Sequence, residues 1–191
     1  MKKTTKIVTV VLLILIVVVV GAYAVLAGRA RTQADDATMT AVQKVLYRDL
    51  STNYPGTPRE VIKYYTEIQQ CFYSDDTTNE ELEQLGLKAR ELYDAELLLI
   101  NEVDSYLINL RIDVDQFKRD KRITYTNLAS SVNVDTFEED GYEFARISCD
   151  YSVMEGSANK AVTIVYLLRR DENRLWKIYG WDNAQNVDIQ K

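Results

Sequence analysis

The chain contains no histidine in 191 residues. The commonest general base, proton shuttle and zinc ligand is therefore missing. Ser-His-Asp and Cys-His nucleophilic sites and histidine-metal centres are excluded outright. Only two cysteines occur, Cys71 and Cys149. An oxidising compartment would permit a disulfide between them. Both fall on apolar faces of their expected elements, so buried free thiols are the competing reading. Positive charge is also short. All 29 acidic residues but only 20 of the 23 basic ones lie beyond residue 28, leaving an excess of nine negative charges there. That sign argues against a nucleic-acid partner, whose phosphates demand clustered Lys and Arg. The one basic cluster, Lys118, Arg119, Lys121 and Arg122, reads first as a solvated helix end that complements the helix dipole. No catalytic residue, metal ligand or cofactor is expected, and the chain reads as a non-enzyme.

What is present in quantity is apolar sequence at the N-terminus. Ile7 to Ala27 (IVTVVLLILIVVVVGAYAVLA) carries no charge and is flanked by Lys2, Lys3, Lys6 and by Arg29, Arg31. At about 1.5 Å per helical residue such a run spans about 31 Å, matching a hydrocarbon core of about 30 Å. A cleaved signal peptide is the alternative, with Ala22-Tyr23-Ala24 as a small-x-small site. Signal peptides carry shorter apolar stretches, of about 7–15 residues, so an uncleaved single-pass anchor is expected. The Lys/Arg balance puts the N-terminus inside and the bulk of the chain outside. The expected organisation is a cytoplasmic tail over 1–6, a transmembrane anchor over 7–27, a juxtamembrane stalk helix and turn over 28–56, and an extracytoplasmic α+β domain over 57–191.

Beyond the anchor, Met39, Val42, Leu46 and Leu50 recur at helical spacing between Ala34 and Leu50. Asn53-Tyr54-Pro55-Gly56 is a turn. Thr57-Pro58-Arg59-Glu60 is a helix start, with a capping threonine, proline at the first helical position and glutamate to close a capping box. That helix should run to about Tyr73. Thr77 or Thr78 with Glu80 or Glu81 repeats the signal for a second helix. Val103, Tyr106, Leu107, Leu110, Val114 and Phe117 stripe a third. No breaker separates Leu92 from Glu102, so the second helix should run nearly into the third. From Ile123 the period becomes two. Ala145, Ile147, Cys149, Tyr151 and Val153 alternate with polar residues, and Val162–Leu168 is apolar on both faces and hence central. Asp140-Gly141, Gly156–Lys160 and Asp171–Asn173 are the turns. About three helices packed on an antiparallel sheet of 3–4 strands is an α+β fold.

A helix-first domain whose last strand reads Leu175-Trp176-Lys177-Ile178-Tyr179-Gly180-Trp181 resembles the nuclear transport factor 2-like superfamily of cone-shaped α+β domains. The likeness spans about Thr57 to Asp182 and rests on element order and the Trp-bearing strand. The whole chain also looks like small membrane-anchored bacterial proteins carrying such a domain. The resemblance implies a curved sheet closing on the helices, but no activity, because this fold hosts enzymes, scaffolds and carriers. Enzymatic members, such as ketosteroid isomerases and polyketide cyclases, use Asp or His-Asp sites inside the cone. Here no His completes a dyad, and strand alternation puts Asp150 opposite Cys149 and Tyr151, so Asp150 is expected in solvent. Anchored assembly subunits of type IV secretion systems share the layout.

The function expected is that of a membrane-tethered binding or envelope-assembly module whose partners are the membrane and other envelope proteins or itself. The alternative is a small apolar ligand held in the cone, with Tyr151, Tyr166 and Trp176 as the candidate lining residues. Aromatics at such positions also serve simply as core.

Overall fold

The computed structural model describes residues 39–128 and 134–186, apart from the side chain of Tyr125. The expected anchor at 7–27 and the first part of the stalk lie outside the described residues. Among the described residues no helix is long and apolar enough to cross a membrane. The fold is α+β. Among the described residues five helices, α1 (Ala41–Tyr47), α2 (Pro58–Phe72), α3 (Asn79–Arg90), α4 (Ala95–Ile100) and α5 (Val103–Asp120), precede five strands. These are β1 (Lys121–Leu128), β2 (Asp135–Glu139), β3 (Tyr142–Glu155), β4 (Ala158–Arg170) and β5 (Trp176–Asn183).

Both capping boxes form. Thr57 accepts from the Glu60 N–H while the Glu60 carboxylate accepts from the Thr57 N–H, and Thr78 and Glu81 repeat the exchange. Two otherwise orphaned backbone donors are thereby satisfied at each start. α2 then turns Val61, Ile62, Tyr65, Ile68 and Phe72 into the core. Each fully buried apolar side chain there contributes about 1.5–3 kcal/mol of transfer free energy. The stripe on α5 is weaker than its periodicity suggests. Val114 alone is buried, whereas Ile108 and Ile112 on the outward face are exposed. The segment expected as the end of a stalk belongs to the domain instead, because Val42, Val45 and Leu50 bury themselves in the same core.

The sheet is antiparallel in the order β1-β3-β4-β5, with β2 also paired to β3. β3 is long enough to share one edge between two partners. Tyr142–Arg146 faces β2, and Cys149–Glu155 faces β1. β4 is central, as its two apolar faces imply. β2 adds a strand to the expected count, since Asp-Thr-Phe-Glu-Glu has no alternation. Of its side chains only Phe137 is half-buried, stacked 5.6 Å from Phe144. Asp140 and Gly141, at φ 50° and 81°, make the β2–β3 turn, a conformation that Gly and Asp tolerate best.

Besides a register shift in β1 between Ile123 and Tyr125, two irregularities shape the fold. In β5, Leu168 pairs with Ile178 but Leu167 pairs with Gly180, so Tyr179 is an extra residue. Such a bulge reverses side-chain parity beyond it. Between α3 and α4 the expected continuous helix breaks instead. The Ile178 N–H donates to the Leu92 carbonyl, and the Asp94 N–H donates to the Ile178 carbonyl, each at 2.8 Å. Tyr93 thus forms a parallel bridge to β5. Asp94 then caps α4 by accepting from the Glu96 N–H at 2.9 Å.

Arg169 holds both irregularities. Its guanidinium donates to both Asp94 oxygens, at 2.5 and 3.0 Å, and to Glu96 at 2.7 Å. The Tyr142 and Tyr179 rings each lie 4.7 Å from its central carbon, and the Tyr179 hydroxyl donates to Glu96 at 2.9 Å. Asp94 is 3% exposed, so removing its partner strands a buried charge. We expect Arg169→Met to cost about 3–5 kcal/mol in urea denaturation. The Arg169 hydrogen bond, followed by that of Tyr179, holds the Glu96 carboxyl below its ordinary 4.5. A depressed folded value adds stability above the unfolded pKa, and that stability is lost as pH falls through the folded one. Stability should therefore decline below about pH 4.5, and Glu96→Gln should flatten that acid limb in pH-dependent melting.

Candidate ligand pocket

α2 places Tyr65, Gln69 and Tyr73 one turn apart on a single stripe, facing the sheet. Opposite them, β3 presents Tyr151 and Val153 and β4 presents Val162, Ile164 and Tyr166. Phe117 from α5 and Ile123 from β1 close one side, and Trp181 closes another. The space enclosed is about 310 Å³, within the range of small-ligand sites. Its lining is chiefly apolar and aromatic. Among the described residues no carboxylate lines it, and Lys121 is its one charged residue.

The polar groups form a short chain at the pocket wall. The Tyr151 hydroxyl donates to Gln69 Oε1 at 2.7 Å and lies 2.6 Å from the Tyr166 hydroxyl, which is 3.4 Å from the same Oε1. A phenol has one hydrogen, and that of Tyr151 is committed to Gln69, so Tyr166 donates to Tyr151. The Gln69 amide, with an acceptor oxygen and an N–H₂ donor group, lies at the pocket wall beside the Tyr166 hydroxyl. Burial pushes the Tyr151 and Tyr166 phenols above their ordinary value. They remain protonated near neutral pH and act as hydrogen-bonding groups rather than bases. Around them the rings of Tyr65, Tyr93 and Tyr166 lie 5.8–6.3 Å from Trp181, and Tyr73 lies 4.3 Å from Phe117.

Of the three lining candidates read from sequence, the structure brings Tyr151 and Tyr166 together and places Trp176 elsewhere. Trp176 is buried at the opposite end of β5, with the Arg170 guanidinium 5.3 Å from its ring and its carbonyl accepting from the Tyr54 hydroxyl at 2.8 Å. The Tyr179 bulge explains the exchange. Strict alternation from Trp176 turns Trp181 outward, but the extra residue turns it back toward Tyr166, its register partner. Gln69 and Tyr73 escaped the sequence reading as well. The available signal was a polar residue on a buried helical stripe, four residues from a tyrosine on each side.

Asp150 is exposed on the other face, where it accepts from the Thr163 hydroxyl at 2.6 Å. Cys71 and Cys149 form no disulfide with each other; both are buried free thiols. Among the described residues no group of three or more Cys, Asp or Glu is placed to hold a metal ion. Burial raises both thiols to about 11. Neither should react with a thiol-specific chromogenic disulfide in the native protein at pH 8, whereas both should titrate after denaturation without reductant.

A family model described as a domain of unknown function (DUF6715) matches residues 1–181. None of the curated proteins matches the chain.

Proposed function

The chain belongs to the DUF6715 family, and we propose that it is a non-catalytic binding module that takes a small molecule with an apolar body and a hydrogen-bond acceptor. The observation that carries this reading is the 310 Å³ cavity walled by aliphatic and aromatic side chains with the Gln69 amide at its side. An apolar group entering it gains burial, and an acceptor can pair with the Gln69 N–H₂. The protonated phenols and the absence of a lining carboxylate favour binding over proton transfer.

The anchor enters this proposal from sequence alone. Ile7–Ala27 would tether the domain at the outer face of a cell membrane. The helix-first order and the Trp-bearing last strand support a nuclear transport factor 2-like assignment. A second reading, envelope assembly, is supported by the exposed side chains Leu99, Ile100, Ile108 and Ile112. Isolated exposed apolar residues are common on folded proteins, so this reading ranks below the pocket.

For the full-length protein in phosphatidylcholine nanodiscs, n-octanol at about a hundred times its Kd should raise Tm by roughly 5–10 °C. Val162→Trp, which fills the cavity, should abolish the shift. A Tm unmoved by n-octanol, or one that moves equally in Val162→Trp, removes the pocket as the recognition site. In-cell crosslinking that captured reproducible envelope proteins through Ile108 or Ile112 would favour assembly instead.

A further inference from the structure

The basic cluster at the α5–β1 junction is the solvated helix end that the sequence implies, with Lys118 and Arg119 in the last turn of α5 and Arg119, Lys121 and Arg122 exposed, and it also borders a concavity. Lys118, Arg119, Lys121 and Arg122 converge with Asp120, Glu155 and the β3–β4 turn on a second concavity, of about 560 Å³. Four cations there face two carboxylates, in a chain whose net charge is −6. The carboxylates do not absorb them. Glu155 is shared by Lys160, with which it pairs closely, and by Lys121 at 3.8 Å. Lys118, Arg119 and Arg122 form no ion pair among the described residues. Arg119 Nε donates to the Asp115 carbonyl at 3.2 Å, and one Arg122 Nη donates to the Met154 sulfur at 3.1 Å, a weak neutral acceptor.

This groove is continuous with the apolar pocket. Lys121 lines both. Ile123 and Val153 are register partners on the pocket wall, and two residues along the same strands, hence on the same face, Lys121 pairs with Glu155. Phe117, on the pocket wall, is followed directly by Lys118. An apolar chain held between Ile123, Val153 and Phe117 therefore leaves the pocket at Lys121 and enters the cationic groove. Arg122 reaches the groove from the opposite face of β1, beside its register partner Met154.

We propose that the ligand of this pocket is an anionic amphiphile, with its apolar part in the 310 Å³ cavity and a phosphate-type head held by Lys118, Arg119 and Lys121 in the groove. The proposal rests on the pocket reading and names the class of its ligand. A phosphate monoester suits the groove better than a carboxylate. It carries up to two charges near neutral pH and three acceptor oxygens, enough for several cations, and guanidinium groups match its geometry.

The test follows tryptophan fluorescence of the full-length protein in phosphatidylcholine nanodiscs, since Trp181 lines the pocket and Trp176 does not. The probes are n-octyl phosphate, n-octanol, octanoate and inorganic phosphate. We expect n-octyl phosphate to bind roughly tenfold or more tighter than n-octanol, and tighter than octanoate. The advantage should shrink as salt rises. Lys118→Gln with Arg119→Gln, both outside the apolar pocket, should remove most of it and leave n-octanol affinity unchanged. n-Octyl phosphate binding no more tightly than n-octanol would overturn the head-group assignment while leaving the pocket reading intact. Inorganic phosphate binding as tightly as n-octyl phosphate would overturn it too, as a free-phosphate site unconnected to the pocket. Absence of any n-octanol response would instead bring down the pocket reading beneath it.

Discussion

The guanidinium of Arg169 is the joint on which this domain turns. One planar group holds the buried carboxylate that ends the helical run, the glutamate in the first turn of α4 and two tyrosine rings of the sheet. Arginine suits the position because its fork matches Asp94 bidentately while its faces accept aromatic stacking, and a lysine offers neither. Two departures from regular structure are fixed together. The chain leaves α3 to bridge β5 at Ile178, and the extra residue of β5, Tyr179, is pinned outward by Arg169 and Glu96. With Tyr179 held outside, Trp181 has only the inner face left, and there it meets Tyr65, Tyr93 and Tyr166. The pocket wall is in this sense a downstream product of an ion pair on the far side of the bulge.

The interior is unusual in how much of its polar hydrogen bonding is tyrosine to tyrosine. Besides the Gln69 chain, the Tyr65 and Tyr93 hydroxyls lie 3.1 Å apart, and Tyr93 lies 3.5 Å from Tyr106. Phenols can satisfy one another in an apolar setting without burying charge, which a carboxylate at the same positions cannot do. The consequence is a polar but electrically neutral centre. Charge lies outside that centre, in the Arg169 cluster, the α5–β1 groove and surface ion pairs such as Arg111–Glu83 and Arg146–Asp135. That segregation lets the cavity bind an apolar group while an ionic head is handled outside it.

The sequence showed most where the determinants are local. Both Thr-x-x-Glu boxes form as read, the Asp140-Gly141 turn joins two strands, and the doubly apolar Val162–Leu168 run is central in the sheet. Tyr151 and Tyr166 were legible as pocket residues because strand alternation holds up to them. What escaped depends on distant partners. The local mark of the chain break is Asp94 alone, as the N-cap of α4, and the arginine that holds it there is 75 positions away. Gly180 inside the last strand is the one local mark of the bulge, and strict alternation passes over it, which places Trp176 in the pocket instead of Trp181. β2 was invisible because its acidic, exposed residues carry no alternation; it is held by the β3 ladder and by the cross-strand contacts of Phe137 with Phe144 and Asp135 with Arg146.

The parallel bridge at Tyr93 has an effect beyond local geometry. An outer strand offers unpaired amides and carbonyls to any other extended chain, and crowding of like molecules multiplies such encounters. Here the Ile178 amide and carbonyl, midway along β5, are already taken by Leu92 and Asp94 of the same molecule. At the opposite margin β1 opens with two cations, Lys121 and Arg122, which repel a second copy brought edge to edge. The domain thus occupies part of one flank of its sheet by self-pairing and places charge at the start of β1, on a margin that β1 shares with β2.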